Sequence, residues 1–349
     1  MHMIRIGLLT SLEGPAGIWA PSAEASAVMA IAEINAAGGL LGQELDLVIS
    51  NAGSTGADAA EAAEAAMDIE RVDAIVAMVP SYARKPVSRA VRGRVPFVYT
   101  PQFEGDEHDS GVLTVGETSD ELLGPGIEWL SRGKGTRRYY LVGNDYVWPR
   151  ATFAKAKRMI RDAGGLVVGE SILPFGFEDY DAILDAIRRT RADVVMPYLL
   201  GYEAIGFNRA FAEAGLARHC VRFTSGIDET ILYAIGPKAT EDFYATSAYF
   251  STLRSRNNDA FLERYHDSFG DTPPPINAFG QSCYEGIHCL ASLVTAAGAL
   301  QPPALRRRVG RALQSRTARG TDVTAVAGIS RPIHLATVED CAFRVIGAR

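Results

Sequence analysis

The sequence predicts an α/β fold made of two doubly wound, Rossmann-like domains, and three observations carry that prediction. Short β-rich apolar runs alternate with longer stretches of helical periodicity, which calls for parallel sheets covered by helices on both faces. A length of 349 residues suits two domains of ordinary size. The alternation shifts near residues 118–121 and then begins again.

Taken in order, "IRIGLL" reads as the first strand, followed by a helix in "SAEASAVMAIAEINAAGG". Val28, Ile31 and Ile34 recur there at helical spacing, and Gly38 and Gly39 form a stop signal. "ELDLVIS" alternates as a strand should. A helix over about residues 56–69 leads to "DAIVAMV", and another over about 85–92 leads to "VPFVYT". After the restart, "RRYYLVG", "LVVGESIL", "DVVMPYLL" and "VRFTSG" are strands. Between them "RATFAKAKRMIRDAGG", "YDAILDAIRRTRA" and "EAIGFNRAFAEAG" are helices. Residues 261–269 and 284–297 read as helices of a returning segment. Pro273–Pro275 and "QPP" at 301–303 mark loops, because proline cannot continue a helix or a central ladder. The run "RRRVGR", Arg306–Arg311, reads as a solvated helix face with no ligand assigned, since no aromatic residues interleave it.

Composition narrows the functional classes. With 47% apolar and 22% charged residues and a mean hydropathy of +0.02, the chain has a soluble globular composition. A net charge of -6 and a pI near 5.6 argue against nucleic acid as a partner. No run approaches the roughly 18 apolar residues of a membrane span. Cys220, Cys283, Cys289 and Cys341 lack metal or redox spacing, and Cys283 and Cys289, six apart, fall on different helix faces, which favours free thiols. The opening "MHMIRIGLL" enters a strand at once. Either the protein is cytoplasmic or an export signal has been trimmed and it is periplasmic, with His2-Met3 reading as a cloning remnant.

In open α/β sheets ligands bind beyond the carboxyl ends of the strands, so the residues following each strand carry the functional argument. The first strand is followed by "TSLEGPAGIW", with Ser11, Glu13 and Trp19. "AIVAMV" is followed by "PSYARKP", where Ser81 and Tyr82 precede a helix whose N–H groups suit a carbonyl or carboxylate oxygen; Ser81 reads equally as a helix cap. "YTPQFEG" brings Tyr99, Thr100, Gln102, Phe103 and Glu104 together, more aromatic and polar surface than a plain turn needs. In the second half "VGNDYVWPR" places Asp145, Tyr146 and Trp148 between strand and helix, rings that can hold a planar group beside a carboxylate that accepts from N–H donors. The alternative is that Asp145 caps the helix and Trp148 packs on it. "PYLLGYEA" and "TSGIDET" add Tyr198, Gly201, Tyr202, Asp228 and Glu229.

"SLEGPAG", "PSYARK", "YTPQFEG" and "NDYVWPR", in this order, resemble the type I periplasmic binding proteins. They are most similar to the branch that binds urea and short-chain amides, and similar also to the branched-chain amino acid receptors. The resemblance implies two lobes joined by a three-crossing hinge. Residues 1–119 with 250–329 would form lobe 1, and 120–249 with 330–349 lobe 2. It also implies that Ser81, Tyr99 and Thr100 line one side of an interlobe cleft and Tyr146, Trp148 and Glu229 the other. The chain departs from that branch at "TSDELLGP" and at "GYE" near 201–203, where the bulk of Tyr202 is expected to reshape the pocket.

Catalysis is not expected. None of the six histidines falls in these stretches, GxSxG and phosphate-loop motifs are absent, and no metal pattern occurs. The expected function is cofactor-free binding of an amide, urea-like compound or amino-acid derivative, with the permease subunits of an ABC transporter as partners. The alternative is a cytosolic amide sensor acting on a regulatory protein.

Overall fold

The strand Ile4–Thr10 is buried along almost its whole length, as a strand covered on both faces must be. In the computed structural model, which describes residues 3–314, 316–319, 325–326 and 332–348, this is β1. It leads through a 3-10 turn at Gly14–Trp19 into α1 (Ala20–Ala36), followed by β2 (Leu45–Asn51), α2 (Gly56–Asp68), β3 (Ala74–Met78), α3 (Ser81–Val91), β4 (Phe97–Tyr99) and β5 (Val112–Thr114). The pattern continues with α4 (Ser119–Gly133), β6 (Arg138–Asn144), α5 (Val147–Asp162), β7 (Leu166–Leu173), α6 (Asp181–Thr190), β8 (Val194–Tyr198) and α7 (Gly201–Glu213). Next come β9 (Val221–Thr224), α8 (Glu229–Ile235), β10 (Phe243–Ser247), α9 (Arg256–Phe269), α10 (Ala278–Ala297) and α11 (Pro302–Arg306). The chain closes with β11 (Leu313–Gln314), β12 (Ala325–Val326), β13 (His334–Glu339) and β14 (Ala342–Ala348).

The chain divides into two compact units, one of Met1–Gln102, Asp106–Gly116 and Arg254–Arg331, the other of Phe103–Gly105, Glu117–Leu253 and Pro332–Arg349. The first holds a parallel sheet in the order β2-β1-β3-β4-β5. The second holds the order β14-β13-β10-β9-β8-β6-β7, parallel from β10 to β7, with β13 and β14 antiparallel at the other edge. Strand order reverses at β1/β3 in the first sheet and at β6/β8 in the second, the switch points beyond which α/β sheets bind ligands. The short segment Phe103–Gly105 groups with the second unit because the Phe103 N–H donates to the Glu117 carbonyl (2.9 Å), the Ser119 N–H to the Phe103 carbonyl (2.9 Å) and Lys155 Nζ to the Glu104 carbonyl (2.6 Å).

Local chemistry explains where the helices start. Thr55 with Asp58 and Thr118 with Glu121 form capping boxes for α2 and α4. Ser255 and Asn277 cap α9 and α10, so these helices begin several residues before the periodic stretches at 261–269 and 284–297. Helix α3 also starts earlier than residue 85, directly after Pro80, and runs through Pro86. "QPP" is not simply a loop: Pro302 opens α11, where the missing N–H costs nothing. Of the basic run only Arg306 is helical; Arg307 is the C-cap and the rest form turns, so the helix face expected there is not formed. The four cysteines are free thiols.

Candidate binding site

In the first unit the residues expected at the strand ends are largely committed to the fold. Tyr99 is fully buried in β4, its hydroxyl donates to the Val79 carbonyl (2.9 Å), and the Arg84 guanidinium lies 5.3 Å from its ring centre. The Thr100 hydroxyl donates to the Ala77 carbonyl (3.2 Å), and its methyl presses so close to α10 that a Cβ on Gly286 would lie 2.6 Å away. Both side chains lock β4 to its neighbours. Tyr82 donates to the Ser54 carbonyl (2.9 Å), and burial, with Asp58 nearby, pushes its hydroxyl up to about 12. Gln102 is half-buried; Glu104, which groups with the second unit, is buried.

Ser81 is different. It is buried at the first position of α3, the N-cap is Pro80, and no side chain caps the helix, so the capping role considered for Ser81 does not hold. Its hydroxyl and backbone N–H sit where a helix end favours an oxygen ligand. Beyond β1, Thr10 and Ser11 are buried, and Trp19 is buried too, its ring tilted against Phe279 with the centres 4.6 Å apart. The Thr10 hydroxyl, the Trp19 indole N–H and the Ser22 hydroxyl of α1 are buried without hydrogen-bond partners among the described residues. Ser22 faces Gly280 of α10 so closely that a Cβ there would lie 2.1 Å from its Oγ.

In the second unit a row of rings runs along the carboxyl ends of β6, β7 and β8. Phe175 lies 5.6 Å from Tyr146, Tyr146 6.3 Å from Trp148, and Trp148 5.0 Å from Tyr198. Trp148 is only 4% exposed, yet its indole N–H finds no partner among the described residues. Gly226 keeps the loop after β9 close to that indole, since a Cβ would lie 2.8 Å from Cη2. Glu229 stands at the first position of α8, 3% exposed. Its Oε1 accepts from the Ser251 N–H (2.6 Å), and its Oε2 has no hydrogen-bond partner among the described residues. Burial pushes its carboxyl up to about 7, against the pull of the Ser251 N–H. The half-satisfied carboxyl of Glu229 and the indole N–H of Trp148 are two buried polar groups of this unit with an atom that has no hydrogen-bond partner among the described residues.

Asp145 is exposed and paired with Arg150 (2.7 Å), whose hydrogen bond holds the carboxylate below its usual range; α5 has Tyr146 as its N-cap, so the capping role considered for Asp145 does not hold. Tyr202 is 77% exposed at the start of α7. The reading by strand ends missed Phe175, although "LPFGF" places an aromatic just past β7, and it missed Ser22 and Gly280, which become neighbours only when α1 packs on α10. Among the described residues no three His, Cys, Asp or Glu gather as metal ligands, and no helix is long and apolar enough to cross a membrane.

Two parallel α/β sheets, each offering polar and aromatic groups past its switch point, define the architecture of type I periplasmic binding proteins. The chain belongs to that family: a profile described as periplasmic binding protein matches residues 3–341. Among relatives, it is 26% identical over 306 residues to the Leu/Ile/Val-binding protein BraC3 of Rhizobium johnstonii, covering 85% of this chain and 80% of that one. It is 24% identical over 325 residues to the leucine-, isoleucine-, valine-, threonine- and alanine-binding protein of Pseudomonas aeruginosa, covering 90% and 83%. In fold it is similar to an R. palustris ABC-transporter solute-binding protein in complex with 4-hydroxybenzoate, with a TM-score of 0.89, 19% identity and coverage of 100% and 97%. It is also similar to the branched-chain amino acid transporter substrate-binding protein LivJ of Streptococcus pneumoniae in complex with isoleucine, with a TM-score of 0.84, 18% identity and coverage of 99% of each chain.

Proposed function

We propose that this protein is the substrate-binding component of an ABC transporter. Its ligand is a small solute rich in N–H donors: an amino-acid derivative, an amide or a urea-like compound. The observation that carries this reading is Glu229, whose buried Oε2 has no hydrogen-bond partner among the described residues and would be satisfied by an ammonium or amide N–H of the ligand. Trp148 would donate its indole N–H to a ligand oxygen, and Tyr146 would cover the apolar part. The Leu/Ile/Val-binding names of the relatives favour the amino-acid derivative over the amide and urea expected from the motifs. The partner would be a membrane permease, and the working compartment the periplasm.

The test is a thermal-shift screen of amino acids, amides and ureas, followed by calorimetry on each hit. Glu229→Gln and Trp148→Phe are expected to weaken binding about tenfold or more, the loss from one buried directed hydrogen bond. Unchanged affinity in both variants would remove the site assignment. Stimulation of a reconstituted permease's ATPase by the loaded protein separates the transport role from a cytosolic sensor.

A further inference from the structure

A concavity lies in the first unit at the amino ends of its strands, whereas Ser81 and Thr10 stand past the carboxyl ends. Phe97 opens β4, and Gly111 immediately precedes its neighbour β5, so both mark the amino ends of the strands. Around them is a cavity of about 360 Å³, with Arg92 at the end of α3 and Arg306 at the end of α11 on its walls. Its apolar surface comes from Val91, Phe97, Pro302 and Pro303.

The two arginines are only partly used. Arg306 Nη1 donates to the Ser110 carbonyl (2.5 Å), and Arg92 Nε donates to the Arg89 carbonyl (3.1 Å). Their remaining N–H groups have no hydrogen-bond partners among the described residues. Asp109, the carboxylate in the lining, is already satisfied: it accepts from the Ser88 hydroxyl and from the Gly111 N–H (2.8 Å). The Ser88 hydroxyl, the Gly111 N–H and the nearby Arg306 charge hold it below the usual carboxylate range, so it stays ionised at neutral pH. Two guanidiniums and one carboxylate leave the lining with a single excess positive charge, on a chain whose net charge is -6.

We propose that this cavity binds a small monocarboxylate with an apolar body, the carboxylate held by Arg92 and Arg306 and the hydrocarbon laid on Phe97 and Pro302. Planar guanidinium forks suit a carboxylate, and one excess charge matches a monoanion better than a phosphate dianion. The volume lies at the low end of the range for small-molecule sites, enough for a compact acid. This gives the basic run beginning at Arg306 a role separate from the solute site.

The experiment is a titration of the full ¹⁵N-labelled chain with benzoate, hexanoate and the neutral benzamide, following backbone amide signals. Benzoate and hexanoate are expected to shift Gly93 and Gly111 saturably at millimolar concentration, and benzamide to leave them unmoved. Arg92→Gln, at an exposed position, should weaken the carboxylates several-fold. The Arg92→Gln, Arg306→Gln double variant should weaken them about tenfold or more, and high salt should weaken binding to the parent chain. Shifts confined to the Trp148 indole and its surroundings, equal shifts with benzamide, or unchanged affinity in Arg92→Gln would each overturn the proposal. None of these outcomes depends on the identity of the solute held near Glu229.

Discussion

Glu229 is a buried carboxyl whose ionisation bears directly on stability. Its carboxyl is raised from 4.5 to about 7 in the folded chain, so the native state keeps a proton that the unfolded chain releases. Below about pH 4.5 this group costs nothing; as pH rises through 7 the folded state loses roughly 3 kcal/mol relative to the unfolded one. Glu229→Gln is therefore expected to be more stable than the parent at pH 8 and equally stable near pH 4, measured by urea unfolding without ligand. A pH-independent difference would mean that Glu229 is ionised in the fold. A cationic or N–H-donating ligand favours the ionised form, so binding near pH 6.5 should release a proton, visible as calorimetric heats that vary with the buffer's ionisation enthalpy.

At the scale of elements, close packing decides what periodicity cannot. Helix α4 carries Gly124, Pro125 and Gly126, residues of poor helix propensity, yet it runs from Ser119 to Gly133 under its Thr118–Glu121 capping box. Gly126 is there for Phe223 of β9: a Cβ would lie 2.0 Å from the ring's Cζ. Gly126→Ala is expected to destabilise the second unit by about 1–3 kcal/mol through overpacking, read as a lower urea midpoint by Trp129 and Trp148 fluorescence. A neutral effect would show that α4 can move away from β9. Buried parallel strands such as β1, β3 and β8 were legible because they are continuous apolar runs, whereas β5, β10 and the antiparallel β13 and β14 were not read as strands. Helix starts were less so, since Ser255 and Asn277 act as caps only where the chain turns. The places of Ser81, Trp148 and Glu229 just past strands could be read from the sequence. That Tyr99 and Thr100 are spent on the carbonyls of Val79 and Ala77 could not, because those partners lie about twenty residues away on the neighbouring strand.

Across the whole molecule, each unit has its own sheet and its own polar anchors. In the first, Glu33 of α1 accepts from Tyr284 (2.7 Å) and His288 (3.1 Å) of α10 and from Arg264 (2.7 Å) of α9. Burial by itself would raise Glu33, but these bonds and the Arg264 charge outweigh it and bring the carboxyl down to about 2. Its contribution is complete above the unfolded value of 4.5 and is lost as pH falls through 2, roughly 3 kcal/mol in all. Acidification from pH 5 to pH 2 should destabilise the first unit, reported by Trp19 fluorescence, and Glu33→Gln should lose most of that pH dependence. An acid transition unchanged in Glu33→Gln would assign it to other carboxylates.

The alternation of strands and helices, the restart near residue 118 and the identity of the residues that follow each strand end are legible in the amino-acid sequence alone. These are local properties, set by periodicity, caps and composition. Which of those polar groups keep an unsatisfied atom is settled by packing. A hydroxyl or carboxylate is committed or unsatisfied according to partners far away in the chain, as Ser251 half-satisfies Glu229 and Arg306 reaches Ser110, and packing alone brings such partners within hydrogen-bonding distance.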